Sequence, residues 1–325
     1  LDSSLTLITD ETLYYRGYDV SVLARTSTIE QIAALLWTGD LREESSLFAA
    51  QTTPFLSLVQ QLDPRLTPMQ RITVALTLAD DLAAYDLRPE AVARTGARIL
   101  NLVASAATLQ PLLEGKIAAH LQRAWKPDDP QIERLIDAAL ILCADHELNV
   151  SSFTARVVAS AEATPYAVVT AGLAALQGVK HGGNTERVEA FFREVNTVDR
   201  ITQVTAERLR RGELIPGFGH SLYPHGDPRA TLLLALLAEA YPNMPEVEFV
   251  LTLAQRVAAM IEHQPNVDFS LAALAYVAHL PSGSPLTLFA LGRTVGWIGH
   301  AIEQYSSGTL IRPRARYVGD SPARD

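Results

Sequence analysis

Cysteine is nearly absent from the 325 residues: Cys143 stands alone. One thiol cannot build an internal disulfide framework, and it suits a reducing, cytoplasmic setting in which a small core residue is its ordinary role. Basic charge is also in deficit, with 27 Lys and Arg against 36 Asp and Glu and a formal net charge of -9. A duplex binder needs a basic face to release counterions, so nucleic acid is not expected as the main partner; a small anion remains open where arginines gather. Long apolar runs are missing too. The windows 269–280 and 286–302 are too short or are broken by Arg293, whereas a membrane span takes ~20 apolar residues, so no membrane partner is expected. The opening LDSSLTLITD has neither the basic start nor the apolar stretch of a secretory leader, and a beginning on Leu1 rather than Met reads as trimmed.

Strand signals are scarce. Only LTLITDETLYYRGYDV, residues 5–20, reads as a short hairpin, with Asp10 and Glu11 at its turn. The rest points to helix. STIEQIAALLWTG, residues 27–39, opens on a Ser27/Glu30 capping box, carries Ile29, Ile32, Ala33, Leu35 and Leu36 on one face, and stops at Gly39. QIERLIDAALILCADHEL, residues 131–148, is apolar almost all round after Asp137 and predicts a buried helix ending near His146. PYAVVTAGLAALQG, residues 165–178, has Pro165 at its start and Gly178 at its end. Periodic runs follow at 185–195, 198–212, 228–240, 246–263, 268–280 and 286–305. No repeat or low-complexity segment interrupts them. Single cores stop growing near ~250–300 residues, so an all-α fold in two packed parts is expected.

Four breaks between these helices carry the chemical residues. At ADHELNVSS, residues 144–152, one helix gives way near Asn149 and His146 marks its end, as a cap, a core imidazole or a ligand. In GVKHGGNTER, residues 178–187, His181 precedes two glycines that permit close approach, and Asn184 or Thr185 is the expected cap of the next helix. In IPGFGHSLYPHGDPRA, residues 215–230, Pro216, Gly217 and Gly219 forbid helix up to His220. Asp227 and Pro228 then read as N-cap and first helical position, which puts Arg229 in a first turn, where free N–H groups and a guanidinium make a carboxylate or phosphate site. In HQPNVDFS, residues 263–270, Asp268 stands at a helix mouth, and a helix cap is its plainest role.

Taken in order, YYRGYDV, DHELNVSSFTARVVAS, GVKHGGN, PGFGHSLYPHGDPRA, NVDFS, LFALGRTVGWIGHAIEQ and LIRPRARYVG resemble the segments of the citrate synthase family. The resemblance runs from about residue 13 to 319, dense from 144 onward and thin between 40 and 130. It implies an almost wholly helical homodimer, with a large domain at 1–181 and 281–325 and a small domain at 182–280 closing over a cleft. It implies condensation of acetyl-CoA with oxaloacetate to citrate and CoA, with acyl-CoA as co-substrate, no permanently bound cofactor and no metal. On that pattern Asp268 is the base, His181 donates to the thioester oxygen and His220 polarises the ketone. His146, Arg229 and Arg293 hold carboxylates, and Arg312, the first arginine of RPR, reaches over from the neighbouring subunit.

The sequence also departs from the family pattern. HGGNT stands where many relatives read HGGAN, so Asn184 and Thr185 are out of register with the usual residue. Ser221 and Pro224 stand where basic residues are usual, so contacts to the coenzyme A phosphates are expected to be weakened or supplied elsewhere. Propionyl-CoA and 2-methylcitrate synthesis use the same residues, and one methylene is worth only ~1–3 kcal/mol of discrimination. A catalytically idle metabolite-binding subunit is the third reading.

Overall fold

A computed structural model describes residues 1–9, 12–49, 55–112 and 116–320. The chain opens with a short antiparallel meander, β1 (Thr6–Ile8), β2 (Leu13–Tyr15) and β3 (Tyr18–Asp19), in which Thr6 pairs with Tyr15 and Tyr14 with Asp19. The expected hairpin is present and gains a third strand; its turn residues Asp10 and Glu11 lie outside the described residues.

Sixteen α-helices follow among the described residues. The first ten are α1 (Val20–Thr26), α2 (Ile29–Thr38), α3 (Glu44–Phe48), α4 (Leu56–Gln61), α5 (Pro68–Ala79), α6 (Pro89–Thr108), α7 (Ile117–Trp125), α8 (Ile132–Cys143), α9 (Val150–Ala159) and α10 (Pro165–Leu176). Then come α11 (Asn184–Val195), α12 (Ile201–Arg210), α13 (Pro228–Ala240), α14 (Pro245–Ile261), α15 (Val267–Val277) and α16 (Ser284–Ser307). The all-α reading holds, and none of the helices among the described residues is long and apolar enough to cross a membrane.

One capping box differs from the sequence reading. Ser27 closes α1, its N–H donating to the Leu23 carbonyl (2.8 Å), so Thr28 and Gln31 form the reciprocal cap of α2. Glu30 is thereby released from capping and turns inward, where its Oε1 accepts the N–H of Ile117 at the start of α7 (2.7 Å). Asp137 on α8 accepts the N–H of Ile29 (3.0 Å), so two buried carboxyls serve two helix N-termini.

Helix α16 is the axis of the fold. It is buried without interruption from Ser284 to Ile302 and packs against α2, α6, α8, α9, α10 and α15. A Cβ on Gly292 would stand 2.5 Å from the Leu140 carbonyl oxygen, and one on Gly296 would stand 2.4 Å from that of Ala144, so hydrogen at these positions lets α16 lie on α8. The same contact ends α8 at Cys143 rather than near His146. Arg293 Nε donates to the Cys143 carbonyl (2.8 Å), the Gly296 N–H to that of Ala144 (3.0 Å) and the Tyr15 hydroxyl to that of Ile141 (2.9 Å). Carbonyls left over at a helix end find their partners here in a neighbouring helix and strand. Helices α11 to α15 pack chiefly on one another, and they meet the remainder where α11 and α15 lie on α16 and α13 lies on α8 and α1.

Candidate active site

All four helix breaks open on one cavity of about 420 Å3. The segment 217–219 reaches it by pairing with 264–266: the Gly219 N–H donates to the Gln264 carbonyl (2.8 Å) and the Asn266 N–H to that of Gly217 (2.9 Å). Gly217 and Gly219 have φ of 85° and 77°, a left-handed backbone that a side chain would strain. Asn266 binds both ends of this joint. Its Nδ2 donates to the Gly219 carbonyl (3.0 Å), while its Oδ1 accepts the N–H groups of Asp268 and Phe269 and caps α15. Asp268 is therefore not the cap, and its carboxyl is free for the cavity.

At the start of α13 the cap is Asp227, with Pro228 at the first position, as the sequence indicates. The same carboxylate also binds Arg229 through Nε (2.9 Å) and Nη2 (2.8 Å) and accepts the Val267 N–H (3.0 Å). Burial works against the Arg229 charge, and the Asp227 carboxylate more than offsets it, so the guanidinium stays ionised. Its Nη1 edge is not used by Asp227. Arg293, also in the cavity wall, lies over the Phe289 ring at 5.0 Å, and its buried Nη2 has no hydrogen-bond partner among the described residues.

The two glycines after His181 serve the backbone. A Cβ on Gly182 would meet Leu176 at 2.7 Å and one on Gly183 the Gln177 carbonyl at 2.8 Å, so this segment folds tightly back on the end of α10. Gly183 is the residue before α11, and neither Asn184 nor Thr185 caps it, contrary to the sequence reading. Thr185 turns its hydroxyl back to the Gly182 carbonyl (2.9 Å). Asn184 instead donates Nδ2 to Asp268 Oδ2 (2.9 Å). The other oxygen, Oδ1, is buried without a partner among the described residues. Burial raises the proton affinity of Asp268 to a pKa of about 6, with Asn184 and Arg229 acting against it.

Three imidazoles complete the site. Burial first, then the nearby arginines, hold His181 near a pKa of about 4, lower His220 and push His146 well down, so all three are neutral at pH 7. His146 lies edge-on to His220 at 5.3 Å, and its Nε2 is 2.9 Å from the Tyr223 hydroxyl. The Leu222 N–H donates to His220 Nδ1 (3.1 Å), which assigns the remaining proton of the neutral ring to Nε2. His181 Nε2 is 2.8 Å from Ser151 Oγ, which also receives the Trp297 indole N–H (3.2 Å).

Of the residues singled out in the sequence, His146, His181, His220, Arg229, Asp268 and Arg293 line this one cavity. Arg312 does not: α16 closes at Gly308, and Arg312 is exposed on the segment that follows, outside helix or strand. Sequence reasoning missed Tyr223, Ser151 and Trp297 and the true partner of Asn184, which depend on contacts between distant segments; the helix break near Asn149 lay beside Ser151 without singling it out. A second cavity, about 660 Å3, adjoins the first and shares Asn184, Arg187 and His220 with it. Its wall includes Leu214, Phe218, Ile261 and His263, and Ser221 and Pro224 also line it.

Residues 1–314 match the family model described as citrate synthase, C-terminal domain. The chain is similar to citrate synthase 2 of Bacillus subtilis, with 32% identity over 98% of this chain and 93% of that protein. It is also similar to a 2-methylcitrate synthase of Mycobacterium tuberculosis, with 28% identity over 94% of this chain and 84% of that one. The crystal structure of citrate synthase from Thermotoga maritima aligns with a TM-score of 0.81 at 27% identity, covering 100% of this chain and 94% of that one. Citrate synthase from Thermoplasma acidophilum, solved as a ternary complex with carboxymethyl coenzyme A and oxaloacetate, aligns with a TM-score of 0.83 at 25% identity, covering 100% and 95%.

Proposed function

Because this chain belongs to the citrate synthase family, we propose that the 420 Å3 cavity condenses the acyl group of acetyl-CoA with oxaloacetate, giving citrate and free CoA. The observation that carries the reading is Asp268, a carboxyl with one buried, unpartnered oxygen in a cavity that also holds three neutral imidazoles and three arginines. An ordinary Asp, near pKa ~3.9, is a weak base; at about 6, Asp268 is a stronger one and still ionised at pH 7. Asp268 takes a proton from the methyl carbon next to the thioester. His181 meets the developing charge on the thioester oxygen, its Nε2 anchored 2.8 Å from Ser151 Oγ. His220 donates from Nε2 to the ketone oxygen of oxaloacetate, and the new carbon–carbon bond forms on the polarised carbonyl. Arg229, Arg293 and His146 hold the carboxylates. Water then cleaves the thioester.

The coenzyme extends into the adjoining 660 Å3 cavity, since His220 and Asn184 belong to both. Residues 182–280 act as a small domain that closes on 1–181 and 281–325, and Arg312 serves the site of a second copy in a homodimer. Exposed Val74 and Leu78 on α5 and Val150 and Phe153 on α9, two helices that both pack against α10, are candidates for a dimer contact. The low cysteine count favours the cytoplasm.

Relatives of both specificities are on hand, so propionyl-CoA is the second reading. Thiol release from acetyl-CoA and from propionyl-CoA, each with and without oxaloacetate, tests both. Oxaloacetate-dependent release is expected, with the faster acyl-CoA naming the substrate. No release from either, alongside intact oxaloacetate binding, would overturn catalysis and leave a metabolite-binding role.

A further inference from the structure

Among the described residues, Asn184 is the one side chain hydrogen-bonded to Asp268 through its carboxyl. It sits at the first position of α11, where a cap would have been expected, and its amide crosses to the first turn of α15. Helices α11 and α15 also pack directly on each other, so the bond lies within a packed helix pair.

We propose that Asn184 is a positioning residue for Asp268, binding Oδ2 so that the carboxyl is held at the cavity with Oδ1 left unpartnered as the proton-accepting oxygen and so that the ionised carboxylate is favoured. The inference assumes that Asp268 is the base. An amide N–H is a donor only, so it stabilises the carboxylate over the carboxylic acid, and it opposes the effect of burial. The surrounding charges do not duplicate it. Arg229 and Asp227 face Asp268 from the start of α13 as an ion pair and act in opposite directions. Arg293 of α16, Arg187 of α11, Lys180, His181 and His220 line the same cavity without bonding the carboxyl. On the α14 side Glu246 stands by His279 and Tyr276, at the far end of α15.

The test is the pH dependence of kcat/KM for acyl-CoA thiol release at saturating oxaloacetate, in the parent protein and in Asn184→Ala, Asn184→Asp and Asp268→Asn. A hydrogen bond to a charged group is strong enough that its loss should move the acid limb of Asn184→Ala to higher pH by roughly 0.5–1.5 pH units. Asn184→Asp, similar in shape but an acceptor with its own charge, should move it further, while the oxaloacetate KM changes less than about twofold in both. A residue that only packs would not order the variants in this way. If Asn184→Asp does not fold, Asn184→Leu replaces it and should behave like Asn184→Ala. Acid limbs that coincide with the parent's, in a protein that Asp268→Asn inactivates, would overturn the role of Asn184 and leave the proposed reaction standing. Unimpaired turnover in Asp268→Asn would overturn the assignment of the base itself.

Discussion

Asp137 and Asp268 are both buried carboxyls whose hold on a proton burial raises, yet only Asp268 opens on a cavity. Asp137 faces Glu30 across the starts of α2 and α7, and burial, with Glu30 adding to it, brings its pKa to about 7. A carboxyl with a folded pKa above its unfolded value contributes stability that is complete below the unfolded pKa and is lost as pH rises through the folded one. The parent protein should therefore lose stability between about pH 4 and pH 7 from this group, an effect of about 1–3 kcal/mol once relaxation is allowed for. Asn at 137 keeps an acceptor for the Ile29 N–H and removes the ionisation. Thermal unfolding of Asp137→Asn at pH 5 and pH 8 should give a smaller difference in Tm than the parent's; an equal difference would place the proton elsewhere.

At the scale of elements, the contact between α16 and α8 decides most of the site. It fixes Arg293 on the Cys143 carbonyl and sets where His146 begins its loop. Gly296→Ala would drive a methyl group into the Ala144 carbonyl and the Asp145 side chain, with no flexible end to give way. We expect a loss of about 1–3 kcal/mol, read as a Tm lowered by several degrees, together with a raised oxaloacetate KM because His146 follows directly. Unchanged values of both would mean that α16 can shift without cost. Much of this element structure was legible in the sequence: Gly39, Asn149, Pro165 and the Asp227–Pro228 pair mark helix ends where they fall. The capping box was misplaced by one residue because Ser27 and Thr28 are chemically alike, and the choice between them was made by how α1 ends. Asn184 was read as a cap because its true partner is 84 positions away, a separation that local pattern does not encode. His146, His181, His220, Arg229 and Asp268 were legible because each sits at a break between helices, whereas Arg293 lies inside α16 and was indicated only by the resemblance. Their supports were not, since Trp297 reaches Ser151 from 146 positions away.

For the molecule as a whole, Arg312 is the part of the proposed site that one chain does not bring to its own cavity. If it completes the site of a second copy, Arg312→Ala and Asp268→Asn should each be inactive alone. Heterodimers of the two carry one intact composite site, so co-expression should restore roughly a quarter of the parent activity under random pairing. No recovery in purified heterodimers would confine each site to one chain. The place of α16 after the helices it packs on bears on how the protein is made. Helices α2, α6, α8, α9 and α10 all leave the ribosome before residues 284–302, the helix they enclose, have been translated. At ~5–20 residues per second, the apolar faces of those helices stay in water for many seconds, within reach of neighbouring nascent chains on the same message. The emergence of residues 284–302, rather than that of the first half of the core, is the event that lets the large core close.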